Sequence, residues 1–113
     1  MHEMSLCEGL IEIIEREARA QNFARVRTVW VEIGALSHVE PEAMRFCFSA
    51  VAHAGIAAEA RFEVITVPGE AWCMSCAKTV PLTQRAEPCP DCGGYQLQVT
   101  AGDELRIKEL EVD

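Results

Sequence analysis

The residues best suited to chemistry in this 113-residue chain are four of its six cysteines, which fall into two matched pairs. Cys73-Met74-Ser75-Cys76 and Cys89-Pro90-Asp91-Cys92 are both C-x2-C knuckles, separated by residues 77–88. In each knuckle one tight turn aims two thiolates at a common point, and two knuckles complete a tetrahedron suited to Zn²⁺. Four protein ligands leave no open coordination position, so the expected role is structural and not hydrolytic. Gly93-Gly94 supplies the backbone freedom to close the second knuckle. A rubredoxin-like iron centre uses the same ligands and stays open as an alternative. A dithiol redox role fits less well, because that motif needs one pair opening a helix and not two matched pairs.

A second group of ligands opens the chain: Met1-His2-Glu3. His2 is bulky, so Met1 is expected to be retained, with its free amine beside the imidazole. The α-amine, the deprotonated His2 amide and a ring nitrogen can close two adjacent chelate rings around one metal. Such nitrogen-rich, planar ligation suits Ni²⁺ or Cu²⁺ better than tetrahedral zinc. Glu3 can add an oxygen ligand or hold the site from outside. Taken alone, a histidine at position 2 is most often simply an exposed residue of a frayed terminus.

These groups need elements to position them. Ser5-Leu6-Cys7-Glu8 reads as a capping box, which predicts a helix over about residues 6–21, with Leu6, Leu10 and Ile14 on its apolar face. Val26 to Ile33 alternates, with Val29, Val31 and Ile33 on one face and Thr28, Trp30 and Glu32 on the other, and Gly34 ends this strand. Pro41 suits the first position of a second helix that Gly55 stops; Met44, Cys47, Phe48 and Val51 recur in it at helical spacing. Phe62, Val64 and Thr66 mark a second strand. Leu105 and Ile107, after the Gly102-Asp103 turn, mark a third. The expected fold is α+β: a small sheet of about three strands with two helices. Residues 1–69 and 96–113 form the body, and residues 70–95 a zinc hairpin that lacks a core of its own. Cys7 and Cys47 fall within helical patterns and read as buried thiols, although a first-turn position can lower the pKa of Cys7. His38 and His53 read as loop and helix-end surface residues.

Composition narrows the function. Half the residues are hydrophobic and a quarter charged, as in a globular protein. No apolar run approaches the ~18 residues of a membrane span, and the opening lacks a signal-peptide pattern, so the expected location is cytoplasmic. The net charge is -8, from 10 basic and 18 acidic residues. Residues 70–95 hold Lys78 and Arg85 against Glu70, Glu87 and Asp91. This argues against nucleic acid as partner and leaves a protein-docking zinc ribbon as the rival function. There is no open zinc position, paired general base or phosphate loop, so an enzyme is not expected.

With Met1-His2-Glu3-Met4-Ser5-Leu6, the two knuckles, and Gly102-Asp103-Glu104-Leu105-Arg106-Ile107-Lys108-Glu109-Leu110-Glu111 in view, the chain resembles the HypA/HybF family of hydrogenase maturation from end to end. The resemblance implies a nickel metallochaperone that delivers Ni²⁺ for [NiFe]-hydrogenase assembly, and in some organisms for urease. By that likeness His2, Glu3 and the Met1 amine hold nickel as cargo, and Cys73, Cys76, Cys89 and Cys92 hold structural zinc. Implied partners are a HypB-type GTPase and the hydrogenase large-subunit precursor, with homodimer formation also open. Many members carry histidines close behind the cysteine pairs. Here Ala77 and Lys78 follow Cys76, and Gly93 follows Cys92, so this chain has no hairpin histidine to complete a nickel sphere.

Overall fold

The computed structural model describes residues 2–113. Its elements run α1 (His2–Gln21), β1 (Val26–Gly34), α2 (Pro41–Ala52), β2 (Arg61–Val67), β3 (Gly69–Cys73), β4 (Lys78–Leu82), β5 (Leu97–Ala101) and β6 (Leu105–Val112). Six strands form two three-stranded sheets, ordered β2-β1-β6 and β4-β3-β5. The chain separates into two units: the described residues of Met1–Val31, Val39–Ile65 and Arg106–Asp113, and a second unit of Glu32–His38 and Thr66–Leu105.

In the first unit the helices form as their periodicity dictates, with one correction. α1 already begins at His2, and Ser5 lies exposed within it, so Ser5 and Glu8 do not cap its start. Glu3 and Met4 are good helix formers, and a carboxylate in the first turn favours the positive end of the helix dipole. Cys7, Leu10 and Ile14 are buried on α1, and Met44, Cys47, Phe48 and Ala52 on α2. The Cys7 thiol donates to the Met44 carbonyl at 3.4 Å and to its thioether at 3.8 Å, fastening one helix to the other. Glu40 caps α2 by accepting from the Glu42 amide at 3.1 Å, with Pro41 next, as its fixed φ suits. Phe48 meets Phe62 of β2 with ring centroids 4.9 Å apart, and the Arg45 guanidinium lies over the Phe62 ring and donates to the Phe62 carbonyl.

The expected alternation of β1 understates its burial. Thr28 and Glu32 are buried along with Val29, Val31 and Ile33, because β1 is the central strand of its sheet. Buried Thr28 finds an acceptor in Glu111 Oε1 at 2.7 Å.

The second unit holds more structure than a coreless hairpin. β3 pairs antiparallel with β4, from Gly69↔Leu82 to Cys73↔Lys78, and antiparallel with β5, with an irregularity at Glu70/Ala71. Leu36, Ala71 and Leu82 form one apolar cluster flanked by Leu97 and Val99. Cys73, Val80 and Cys89 form another, flanked by Cys76 and Leu97. The alternation of β3 becomes legible only when small Ala71 and Cys73 are counted as core, which composition alone does not suggest.

Backbone packing in this unit is close. The Leu36 amide donates to the Gly102 carbonyl at 2.6 Å, and Ala35 donates to Val67 at 2.9 Å. Gly102 has φ +99, and a Cβ there would fall 2.5 Å from Gly69 Cα and 2.8 Å from Pro68 O. Gly9, inside α1, has nothing within 4 Å of where its Cβ would lie. Gly102→Ala should therefore lower the unfolding free energy by about 3 kcal/mol. Gly9→Ala should raise it by about 0.5–1 kcal/mol. Urea unfolding at matched metal content reads both changes, and equal effects of the two substitutions would contradict the packing described.

Candidate metal centre

Cys73 ends β3 and Cys76 lies in the turn after it, while the segment between β4 and β5 carries Cys89 and Cys92. All four Sγ atoms lie within 4.8 Å of one another, the only such metal-ligating group of three or more side chains among the described residues. Cys73 and Cys92 are 3.7 Å apart, and Cys76 and Cys89 are 3.9 Å apart, sulfur to sulfur. Four sulfurs at ~2.3 Å from a common tetrahedral centre stand about 3.8 Å apart, so the donor set fits one tetrahedral ion of the Zn²⁺ or iron class. Cys73 and Cys89 are buried, Cys76 is half-buried and Cys92 is exposed.

The two knuckles repeat one backbone design. The Ala77 amide donates to the Cys73 carbonyl and the Gly93 amide to the Cys89 carbonyl, each at 2.8 Å. Both closing residues have positive φ, 55° at Ala77 and 74° at Gly93. Amides also point at sulfur: Cys76 N to Cys73 Sγ and Asp91 N to Cys89 Sγ, each at 3.4 Å. The Cys92 and Asp91 amides pull the Cys89 thiol down to about 7 against its desolvation. Hydrogen bonds from the neighbouring thiols, Cys92 first, push Cys76 up to about 12. The four thiols thus hold their protons unevenly as a set, and binding a cation must displace those that remain.

The other candidate ligands stand apart from this group. His2 is exposed and Glu3 half-buried in the first turn of α1, and Met1 lies outside the described residues. His38 is exposed at φ 63, and His53 is exposed at the α2 C-cap with Nδ1 3.2 Å from the Ala50 carbonyl. Cys7 is fully buried, and desolvation, then Cys47 and Glu3, push its thiol up to about 11. The lowered pKa that a first-turn position can confer is therefore not realised. With α1 starting at His2, Cys7 lies in the second turn, past the unpaired amides of the helix start, and its side chain enters the core.

Two cations that composition had entered only as charges have specific places. Arg85 Nε donates to the Leu36 carbonyl at 2.9 Å, with Asp103 3.9 Å from the guanidinium. Lys78 Nζ lies 2.5 Å from Asp91 Oδ2, and this carboxylate holds the ammonium above its usual range. A knuckle residue of opposite charge was the available signal for the second pairing.

The family model described as HypA, hydrogenase/urease nickel incorporation metallochaperone, matches residues 1–112. The chain belongs to the HypA family. It is 84% identical over 113 residues to the hydrogenase maturation factor HypA of Rhodopseudomonas palustris (strain BisA53), covering all of both chains. It is 61% identical, again over all of both chains, to that of Albidiferax ferrireducens (strain ATCC BAA-621 / DSM 15236 / T118). The solution structure of the Ni metallochaperone HypA from Helicobacter pylori shares the HypA fold at TM-score 0.73 and 21% identity, over 97% of this chain and 96% of that one. A second solution structure of HypA protein gives TM-score 0.75 at 23% identity, over 100% of this chain and 97% of that one.

The geometry of this HypA-family cluster sets its response to pH. Loading a divalent cation must displace thiol protons, so apparent affinity should fall as pH falls. The fall should steepen below about pH 7, where Cys89 also carries a proton. Chelator competition at pH 8, 7 and 6 measures it, and a pH-independent affinity would rule out thiolate ligation. Gly93→Ala should cost about 1–2 kcal/mol of stability, while Ala77→Gly should relieve the same strain in the first knuckle.

Proposed function

We propose that this protein is a nickel metallochaperone that binds Ni²⁺ at its N-terminus and delivers it during [NiFe]-hydrogenase maturation, with urease as a further client. The observation carrying this reading is the family match over residues 1–112, which takes in the Met1-His2-Glu3 opening. The helix start adds a physical argument. The first four amides of an α-helix lack intrahelical acceptors. At the first turn of α1, the His2 amide is therefore not committed to a helical hydrogen bond. It can lose its proton and join the imidazole and the Met1 amine around nickel, with Glu3 beside them. His2 is exposed, and an exposed site can pass cargo on by ligand exchange where a buried cage would retain it.

In this reading Cys73, Cys76, Cys89 and Cys92 hold structural zinc, chosen over iron because the role is to fix the hairpin and not to carry electrons. Labour divides between a nickel-binding body of residues 1–69 and 96–113 and a zinc-binding hairpin of residues 70–95. The activity is transfer without turnover, so nucleotide hydrolysis falls to a partner, the HypB-type GTPase, and the recipient is the hydrogenase large-subunit precursor. No helix of the described residues is long and apolar enough to cross a membrane, and a cytoplasmic location is part of the proposal. Exposed Trp72, Met74 and Tyr95 in the second unit favour, as a second reading, a zinc module that docks protein without carrying nickel.

Calorimetry on untagged, zinc-matched protein separates the two. His2→Ala should abolish specific Ni²⁺ binding with fold and zinc content unchanged, because the exposed side chain contributes little to any core. An N-terminal extension, which converts the amine to an amide, should act in the same direction. Wild-type nickel affinity in His2→Ala would dismiss the terminal site. Elemental analysis should find about one Zn²⁺ per chain, and neither zinc nor iron in chelator-free preparations would dismiss the structural one.

A further inference from the structure

Four thiolates around a divalent ion leave a net charge of about minus two, so a tetrathiolate centre repels further anions and gains from a nearby cation. Residues 70–95 contain two cations, Lys78 and Arg85. Arg85 is occupied with the Leu36 carbonyl and Asp103. Lys78 is placed otherwise. It opens β4 directly behind the first knuckle, two residues after Cys76, and is the register partner of Cys73 across the β3–β4 pair. Its partner Asp91, 2.5 Å away, lies between Cys89 and Cys92 in the second. The ion pair therefore joins the two halves of the metal site by a route that does not pass through the metal.

We propose that Lys78 and Asp91 form a clasp across the two knuckles that holds the four sulfurs together and slows loss of the bound ion. The proposal rests on the reading of the four cysteines as a zinc site. For zinc to leave, one knuckle must swing away from the other, and a bridge between them opposes the first movement. Both side chains are about half exposed, with 56% and 49% of their surface accessible, so water and salt screen the pair. The effect is accordingly modest, about twofold to fivefold in release rate. Lys78 and Asp91 act here as positioning residues.

The test is transfer of zinc from the full-length, zinc-loaded protein to a chromophoric chelator in excess, at low and high salt. Lys78→Met and Asp91→Asn should each release zinc about twofold to fivefold faster than wild type at low salt. The double variant should be no faster than the faster single one, since the second substitution removes nothing further. Lys78→Arg should restore slow release, and the charge-reversed pair Lys78→Asp with Asp91→Lys should recover part of it. High salt should accelerate wild type towards the variants and leave the variants nearly unchanged. Circular dichroism of the loaded proteins should be superimposable, which excludes misfolding as the cause. Slower release in Asp91→Asn would overturn the clasp, because Lys78 would then act as a counter-ion alone. Unchanged rates in both single variants would overturn it as well. Wild-type protein without zinc would instead remove the reading on which the proposal stands, an outcome visible before any rate is measured.

Discussion

Four sulfurs cannot be held within 4.8 Å of one another as thiolates unless a cation neutralises them, and much of the second unit is arranged around that constraint. Two turns of the same backbone pattern converge on one point. Each is closed by a hydrogen bond that the Ala77 or Gly93 amide, at positive φ, donates to the carbonyl of the first cysteine, and each directs a further amide at its first sulfur. Cys73 and Cys89 form part of the apolar cluster with Val80, so ligand and core residue are the same atoms. A change at the metal site must therefore be felt in the packing of β3 and β4.

The amide bonds to sulfur also sort the thiols. Cys89 is drawn down by the Cys92 and Asp91 amides, while Cys76 is held protonated by sulfur neighbours. A set of thiols that holds its protons unevenly can capture a passing cation and surrender the remaining protons as coordination completes. Cys7 shows the opposite use of the same element. Packed against Met44 in the first unit and fully buried, its thiol is pushed up by desolvation and serves as a small apolar residue that donates a weak bond.

The two cysteine knuckles, both helices and the three strands of the first sheet were legible because each rests on a local rule. A knuckle is four residues long, Pro41 marks a helix start by its own dihedral, and the alternation after Gly102 is read within six residues. The start of α1 was misplaced because Ser5 and Glu8 satisfy a capping pattern by identity alone, and a pattern does not reveal whether its amides already have partners. The second sheet was missed because its core positions include Ala71 and Cys73. A small residue does not show which face of a strand is inward until neighbours such as Leu36 and Leu82 are known to cover Ala71.

Sequence by itself therefore determined the chemistry available: soft ligands in two matched turns, a histidine at the second position, and an acidic balance. Tertiary structure alone decided which of those groups meet. It brought residues 73 and 92 to 3.7 Å, set Lys78 opposite Asp91, buried Thr28 against Glu111, and carried α1 back to His2. The reason is one of range. Ligand identity and turn propensity are properties of a few adjacent residues. The distance between two knuckles, and the solvation of any thiol, depend on strand pairing and packing among residues far apart in the chain.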